Sequence, residues 1–186
     1  MWMIDIPIVQ FFRFFIRFWS NFGLYLLETH LTQMSNTYCQ LYVHYVFAVQ
    51  NRQSLINPEW KESLNQYINR IVDHQAHHLF AINGVSNHIH LLVSMNPKQS
   101  PSELMYYLKR CSSIWINKEK LCDGKFSWQE GFGAFSYGKS QIPSLVHYIQ
   151  NQEAHHQKQT FNDEYLQFLR LFEVDFNPQY ILKDIQ

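Results

Sequence analysis

The chain has 186 residues, 46% of them hydrophobic, enough to close one ordinary domain around a core with a short appendage to spare. Lys plus Arg equals Asp plus Glu at 15 each, which excludes a simple basic coat for long-range nucleic-acid binding but leaves room for a local groove. Cys39, Cys111 and Cys122 are odd in number and lack metal-type spacing, which argues against a disulfide framework and fits a reducing cytosol.

Residues 1–33 differ from all that follows. Ile4 to Leu27 is crowded with Phe, Ile, Leu and Trp, but Asp5, Gln10, Arg13 and Arg17 interrupt it. A membrane-spanning helix wants about 20 nearly uninterrupted apolar residues, so none is expected here. A signal peptide fits no better, because charges lie inside the apolar run and no small-residue cleavage site stands out. Arg13 and Arg17 would share one helical face, which leaves an interfacial helix as an alternative. The expectation adopted is that 1–33 is a non-native extension, that Met34 is the start, and that 34–186 forms a single domain.

From Tyr38 to Val49, β-branched and aromatic residues alternate with polar ones, which predicts a strand. Asn57-Pro58 opens a helix to about His77, with Trp60, Leu64, Tyr67, Ile68 and Ile71 on its apolar face. His78 to Gly84 and His88 to Met95 read as two strands joined through Asn87. Ser100-Pro101 starts a second helix, with Leu104, Tyr107, Leu108, Cys111 and Trp115 expected toward the core. Trp128 to Ser136 reads as a bent fourth strand. Ser140 to His156 reads as a helix broken near Pro143, and Glu164 to Phe172 as a last helix. The first six elements give β-α-β-β-α-β, the split βαβ order. The fold class is therefore α+β, a ferredoxin-like (RRM-like) antiparallel sheet with helices on one face plus a C-terminal helix, and the other face is left for chemistry.

The ten His residues cluster, and one cluster is His88-Ile89-His90. On a strand, residues i and i+2 point the same way, so His88 and His90 present two imidazoles together while Ile89 faces the helices. That is a compact two-ligand metal site needing a third donor; the alternative is a pair of half-buried sheet histidines with hydrogen-bond partners. Tyr148 and Gln152 are four apart and would stack on one helical face. A phenol is a weak nucleophile near pH 7, but a metal that polarises a phosphate and a neighbour that shares the proton make it effective. Gln152 offers a neutral oxygen ligand one turn away. Tyr and Gln on a surface helix are also ordinary, so the pair stands only with its surroundings. His44, His147 and His155 are further candidates for moving a proton. His74, His77 and His78 have ligand spacing but no cysteine or carboxylate to complete a zinc site.

Four segments resemble, in collinear order over about residues 36–170, the single-tyrosine HUH transposases of bacterial insertion sequences, the IS200-like enzymes and their REP-associated relatives. They are Leu41 to Arg52, the Gly84-Val-Ser-Asn-His-Ile-His-Leu-Leu-Val strand, Trp128 to Ser136, and Tyr148-Ile-Gln-Asn-Gln-Glu-Ala-His-His followed by Phe161-Asn-Asp-Glu-Tyr. The resemblance implies an enzyme that cleaves and rejoins single-stranded DNA. Tyr148 would form a 5′-phosphotyrosine, and His88, His90 and Gln152 would hold Mg²⁺ or Mn²⁺. It also implies hairpin DNA at element ends as the partner, a homodimer, and a bacterial cytoplasmic location with no membrane. Arg52, Lys109 and Arg110 are candidate DNA contacts, with Lys118 and Lys120 behind them, and Trp128, Phe132 and Phe135 are candidate stacking platforms, though core packing is expected for at least two of the three. The alternatives are a domesticated hairpin-binding or nicking protein that no longer moves, and a metal-dependent hydrolase that uses water and has no need of Tyr148.

Overall fold

The structure, a computed structural model, describes residues 38–177 apart from Ser54; the 1–33 extension and the side chain of Arg52 lie outside the described residues. Four strands, β1 (Tyr42–Ala48), β2 (His78–Val85), β3 (His88–Ser94) and β4 (Gly133–Tyr137), form one antiparallel sheet in the order β2-β3-β1-β4. Helix α1 (Pro58–His74) connects β1 to β2, and α2 (Pro101–Glu119) connects β3 to β4. This is the expected split βαβ arrangement.

Alternation divides the strands between two cores. Tyr45 and Phe47 of β1 and Ile89, Leu91 and Val93 of β3 pack with Leu64 and Ile68 of α1 and Leu104 and Leu108 of α2. The helices start where their caps put them. The Asn57 side chain accepts from Glu59 N–H, and Ser100 and Glu103 close a capping box, each with Pro in the first turn. The core face of α2 runs Leu104, Met105, Leu108, Ser112, Ile116. Tyr107 is exposed, and Cys111 and Trp115 only flank the core, because the buried stripe passes through Ser112 and Ile116, one residue on from the expected positions. Ser112 is tolerated inside because its hydroxyl donates to Leu108 C=O at 2.5 Å and accepts from Trp128 Nε1 at 2.8 Å.

The second sheet face is not open. The C-terminal part supplies α3 (Ile142–Gln150), α4 (Gln152–His156) and α5 (Phe161–Leu171). Ile142, Leu145 and Ile149 pack on Tyr42, Ala81 and Leu92, and Phe168 and Leu169 pack on Val46 and Phe135. The break in this helix comes at Asn151, not near Pro143, which sits in the first turn of α3 where proline is at home. Asn83 of β2 donates from Nδ2 to the Gln150 carbonyl at 2.9 Å, taking up an acceptor at that break. The fourth strand is also shorter than expected. Trp128 makes only an isolated bridge to Val49, and the Lys109 ammonium draws the Gln129 and Gly131 carbonyls out of any ladder.

Gly84 pairs with Ile89 across the β2–β3 hairpin, and a Cβ there would run into the His88 carbonyl. A glycine therefore lets β2 close on the strand that carries the two histidines. No described helix is long and apolar enough to cross a membrane.

Candidate active site

The site lies between the sheet and the C-terminal helices. His88 and His90, fully buried, enter from β3 on the face shared with Leu92. Tyr148 enters from α3, Gln152, His155 and His156 from α4, and Glu164 from α5. Thr160 caps α5 by accepting from Asp163 N–H at 3.2 Å, which fixes the phase of the helix. Glu164 then shares a face with Phe168 and is carried inward to 2% exposure.

The Glu164 carboxylate joins the two sequence constellations. Its Oε1 accepts from the Tyr148 hydroxyl and from Gln152 Nε2 at 3.2 Å, and His155 Nε2 stands 3.6 Å away. Its Oε2 faces His88 Nε2 at 3.6 Å, His90 Nε2 at 3.3 Å and His156 Nε2 at 3.2 Å. The Tyr148 ring lies edge-on to His90, centroids 5.9 Å apart. All of this is within one chain. Tyr148 and Gln152 sit on consecutive helices rather than on one face of a single helix, yet both reach the same oxygen. Beside them a cleft of about 690 Å³, bordered by Ser140, Ser144, Tyr148, Glu164 and Arg170, opens toward solvent.

The polar accounting points to a cation. His88, His90 and His156 Nε2, Glu164 Oε2 and Gln152 Oε1 are buried without a hydrogen-bond partner among the described residues. Each such atom costs roughly 1–3 kcal/mol if left so. The outer nitrogens are held. His88 Nδ1 lies 2.7 Å from Asn87 Oδ1, His156 Nδ1 3.0 Å from Gln159 C=O, and His90 Nδ1 3.0 Å from His44 Nε2. Such outer contacts orient imidazoles that ligate metals. The residues present therefore fit a divalent metal.

Burial holds His88, His90 and His44 below the ordinary imidazole range, with mutual repulsion adding to it at His88 and His44. Burial alone would raise the Glu164 carboxyl, but contacts with His156, His90 and Tyr148 outweigh it and keep it well below the usual carboxylate range. Burial, then the Glu164 charge, pushes the Tyr148 phenol far above its ordinary value. The resting site thus holds a carboxylate and a protonated phenol, with His44, His88 and His90 held toward the neutral form.

A family profile described as "Transposase IS200 like" matches residues 37–152, well over half of the chain. The chain belongs to the IS200-like transposase family. Curated relatives of this IS200-like transposase include the transposases for insertion sequence element IS200 of Salmonella typhimurium strain LT2 and of Salmonella typhi. Each is 27% identical over 115 residues, 59% of this chain and 74% of the relative. Among solved structures, a protein of Deinococcus radiodurans R1 assigned as a transposase shares the fold at TM-score 0.51 and 17% identity, covering 66% of this chain and 98% of that one. A REP-associated tyrosine transposase bound to a REP hairpin matches at TM-score 0.51 and 14% identity, covering 68% of this chain and 74% of that one.

Four of the residues expected in the site, His88, His90, Tyr148 and Gln152, come together in this IS200-like transposase. His44 and His155 border them, while His147 is exposed on the side of Asn151. Lys109 and Arg110 lie on α2, in the layer beyond the opposite sheet face. Burial lowers the Lys109 ammonium to about 8, and it is spent on backbone carbonyls, while Arg110 Nη1 donates to Tyr106 Oη at 2.6 Å. Trp128 and Phe135 are buried and Phe132 packs on the α1–α2 core, so all three pack rather than stand free. His77 is engaged by Asn96 and Gln99, and the His74, His77, His78 spacing gathers no ligand group among the described residues.

Sequence reasoning missed His156 and Glu164, which with His88 and His90 form the candidate metal group of the described residues. Both lie beyond the segment matched by the family profile. A signal was available. Thr160-x-x-Asp163 marks a helix start at Phe161, and that phase sets Glu164 on the apolar face with Phe168.

Proposed function

We propose that this chain cleaves and rejoins single-stranded DNA at the ends of an insertion element, through a 5′-phosphotyrosine on Tyr148. The observation that carries this reading is the single buried carboxylate shared by the Tyr148 hydroxyl and the His88–His90 pair. The Tyr148 oxygen attacks the scissile phosphorus, a P–O bond to Tyr148 forms, and the P–O bond to the 3′ oxygen breaks. The phenolic proton leaves through the hydrogen bond to Glu164 Oε1, and the departing 3′ oxygen takes up a proton to become a 3′-hydroxyl. Attack by a new 3′-hydroxyl reverses the step, so the phosphodiester is conserved without ATP.

His88, His90 and Gln152 are the residues that would hold Mg²⁺ or Mn²⁺, which when bound polarises the phosphate and stabilises the charge that develops on it. The cleft beside Tyr148 is where the strand enters, with Arg170 at its border for a phosphate. Hairpin DNA as the partner is supported by the REP hairpin held by the structural neighbour of like fold. Homodimer assembly and a bacterial cytoplasmic setting belong to the same reading through the family. The test is incubation with single-stranded DNA carrying the flanking hairpin and Mn²⁺. The wild-type chain forms a covalent protein–DNA adduct, and Tyr148→Phe abolishes it. Cleavage that continued unchanged in Tyr148→Phe would point to water as the nucleophile and overturn the proposal.

A further inference from the structure

We infer that His156 and Glu164 join His88 and His90 as direct ligands of a first-row transition-metal ion, making, beside the Gln152 carboxamide, a set of three imidazoles and one carboxylate that favours Zn²⁺ and Mn²⁺ over Mg²⁺. The inference rests on the proposed metal role of His88 and His90 and deepens it.

Tautomers supply the first argument. The Gln159 carbonyl can only accept, so His156 donates to it from Nδ1, which turns Nε2 on Glu164 Oε2 at 3.2 Å. Asn87 Oδ1 places the same demand on His88, whose Nε2 also faces Oε2. His88, His90 and His156 Nε2 and Glu164 Oε2 thus converge, all four buried without a hydrogen-bond partner among the described residues. A cation between them would satisfy all four at once.

Spacing supplies the second. The four ligand atoms lie within 4.8 Å of one another. Bonds of about 2.0–2.1 Å in a tetrahedral shell would set neighbouring ligand atoms about 3.3 Å apart. The separations of Oε2 from the three Nε2 atoms are 3.6, 3.3 and 3.2 Å. Glu164 can ligate and still serve the nucleophile, because Oε2 faces the imidazoles while Oε1 accepts from Tyr148 and Gln152. A set rich in imidazole suits borderline metals, whereas Mg²⁺ wants oxygen ligands and keeps its waters.

The test is calorimetric titration of the metal-free full chain with Zn²⁺, Mn²⁺ and Mg²⁺, alongside thermal melts with and without Mn²⁺. Affinity is expected in the order Zn²⁺, Mn²⁺, Mg²⁺. Glu164→Gln and His156→Ala should each weaken Zn²⁺ and Mn²⁺ binding by more than about tenfold, the scale of even an outer-sphere loss. Glu164→Gln preserves shape, and its circular dichroism should match the wild type while its Mn²⁺-dependent rise in Tm disappears. Wild-type affinity in both variants, with binding lost in His88→Ala, would overturn the inference and leave the proposed function standing. Wild-type affinity in His88→Ala as well would remove the metal role of the whole cluster.

Discussion

Glu164 gives one carboxylate oxygen to the Tyr148 hydroxyl and the other to the imidazoles, so one side chain sets the distance between Tyr148 and the histidines. The ordered centre has a cost that pH reveals. His44, His88 and His90 titrate below the ordinary 6.5 when folded. Between that value and the lowered ones the unfolded chain binds more protons, so stability falls as pH drops, by up to about 1.4 kcal/mol per pH unit for each histidine. Glu164 works in a lower window. Its contribution is full above the ordinary carboxylate value and is lost as pH falls through its depressed folded value. The metal-free protein should therefore show a urea midpoint that declines from pH 7 to pH 5 and declines again in stronger acid. A midpoint that stayed level from pH 7 to pH 5 would mean that the three imidazoles are not held neutral. His88, His90, Tyr148 and Gln152 were legible as residues because period-2 and period-3.6 spacing pairs them. Glu164 was not, since an acid four residues into a helix ordinarily serves the helix N-terminus rather than a site.

At the scale of elements, α1, α2 and α5 are each started by a capping side chain, and the site depends on only some of those helices. Ser100 caps α2, on the far side of the sheet; Thr160 caps α5, which carries Glu164. Ser100→Ala and Thr160→Ala should each cost about 1 kcal/mol in denaturant unfolding. Only Thr160→Ala should also weaken Mn²⁺ binding, as seen by titration; equal metal affinity in the two variants would show that the phase of α5 does not position Glu164. Local code also explains what the sequence could and could not reveal. Asn57-Pro58 and Ser100-Pro101 announced their helices. The break at Asn151 did not announce itself, because part of what anchors it is Asn83, far away in the chain, on the carbonyl of Gln150. The shortened fourth strand likewise depends on Lys109, which reaches from α2 to the carbonyls of Gln129 and Gly131.

At the scale of the molecule, the sheet separates stability from chemistry. One face carries the larger apolar core under α1 and α2, and the other carries the His–Glu–Tyr group under α3, α4 and α5. The split βαβ order was readable from hydrophobic periodicity. The closing of the second face was not, because Ile142, Leu145, Ile149 and Phe168 would look the same packed on a sheet or on another chain. Their packing places the Tyr148 of each chain against that chain's own His90 and Glu164. Mixing Tyr148→Phe with His88→Ala should therefore restore no adduct, since each chain lacks part of its own centre. Adduct formation in the mixture would mean that the tyrosine helix is exchanged between subunits. The most direct measurement is of the covalent bond itself. After reaction with hairpin-bearing single-stranded DNA and Mn²⁺, nuclease and protease digestion followed by mass spectrometry should find a nucleotide joined through its 5′ phosphate to the peptide containing Tyr148. Cleaved DNA with free 5′ phosphates and no modified peptide would contradict the account.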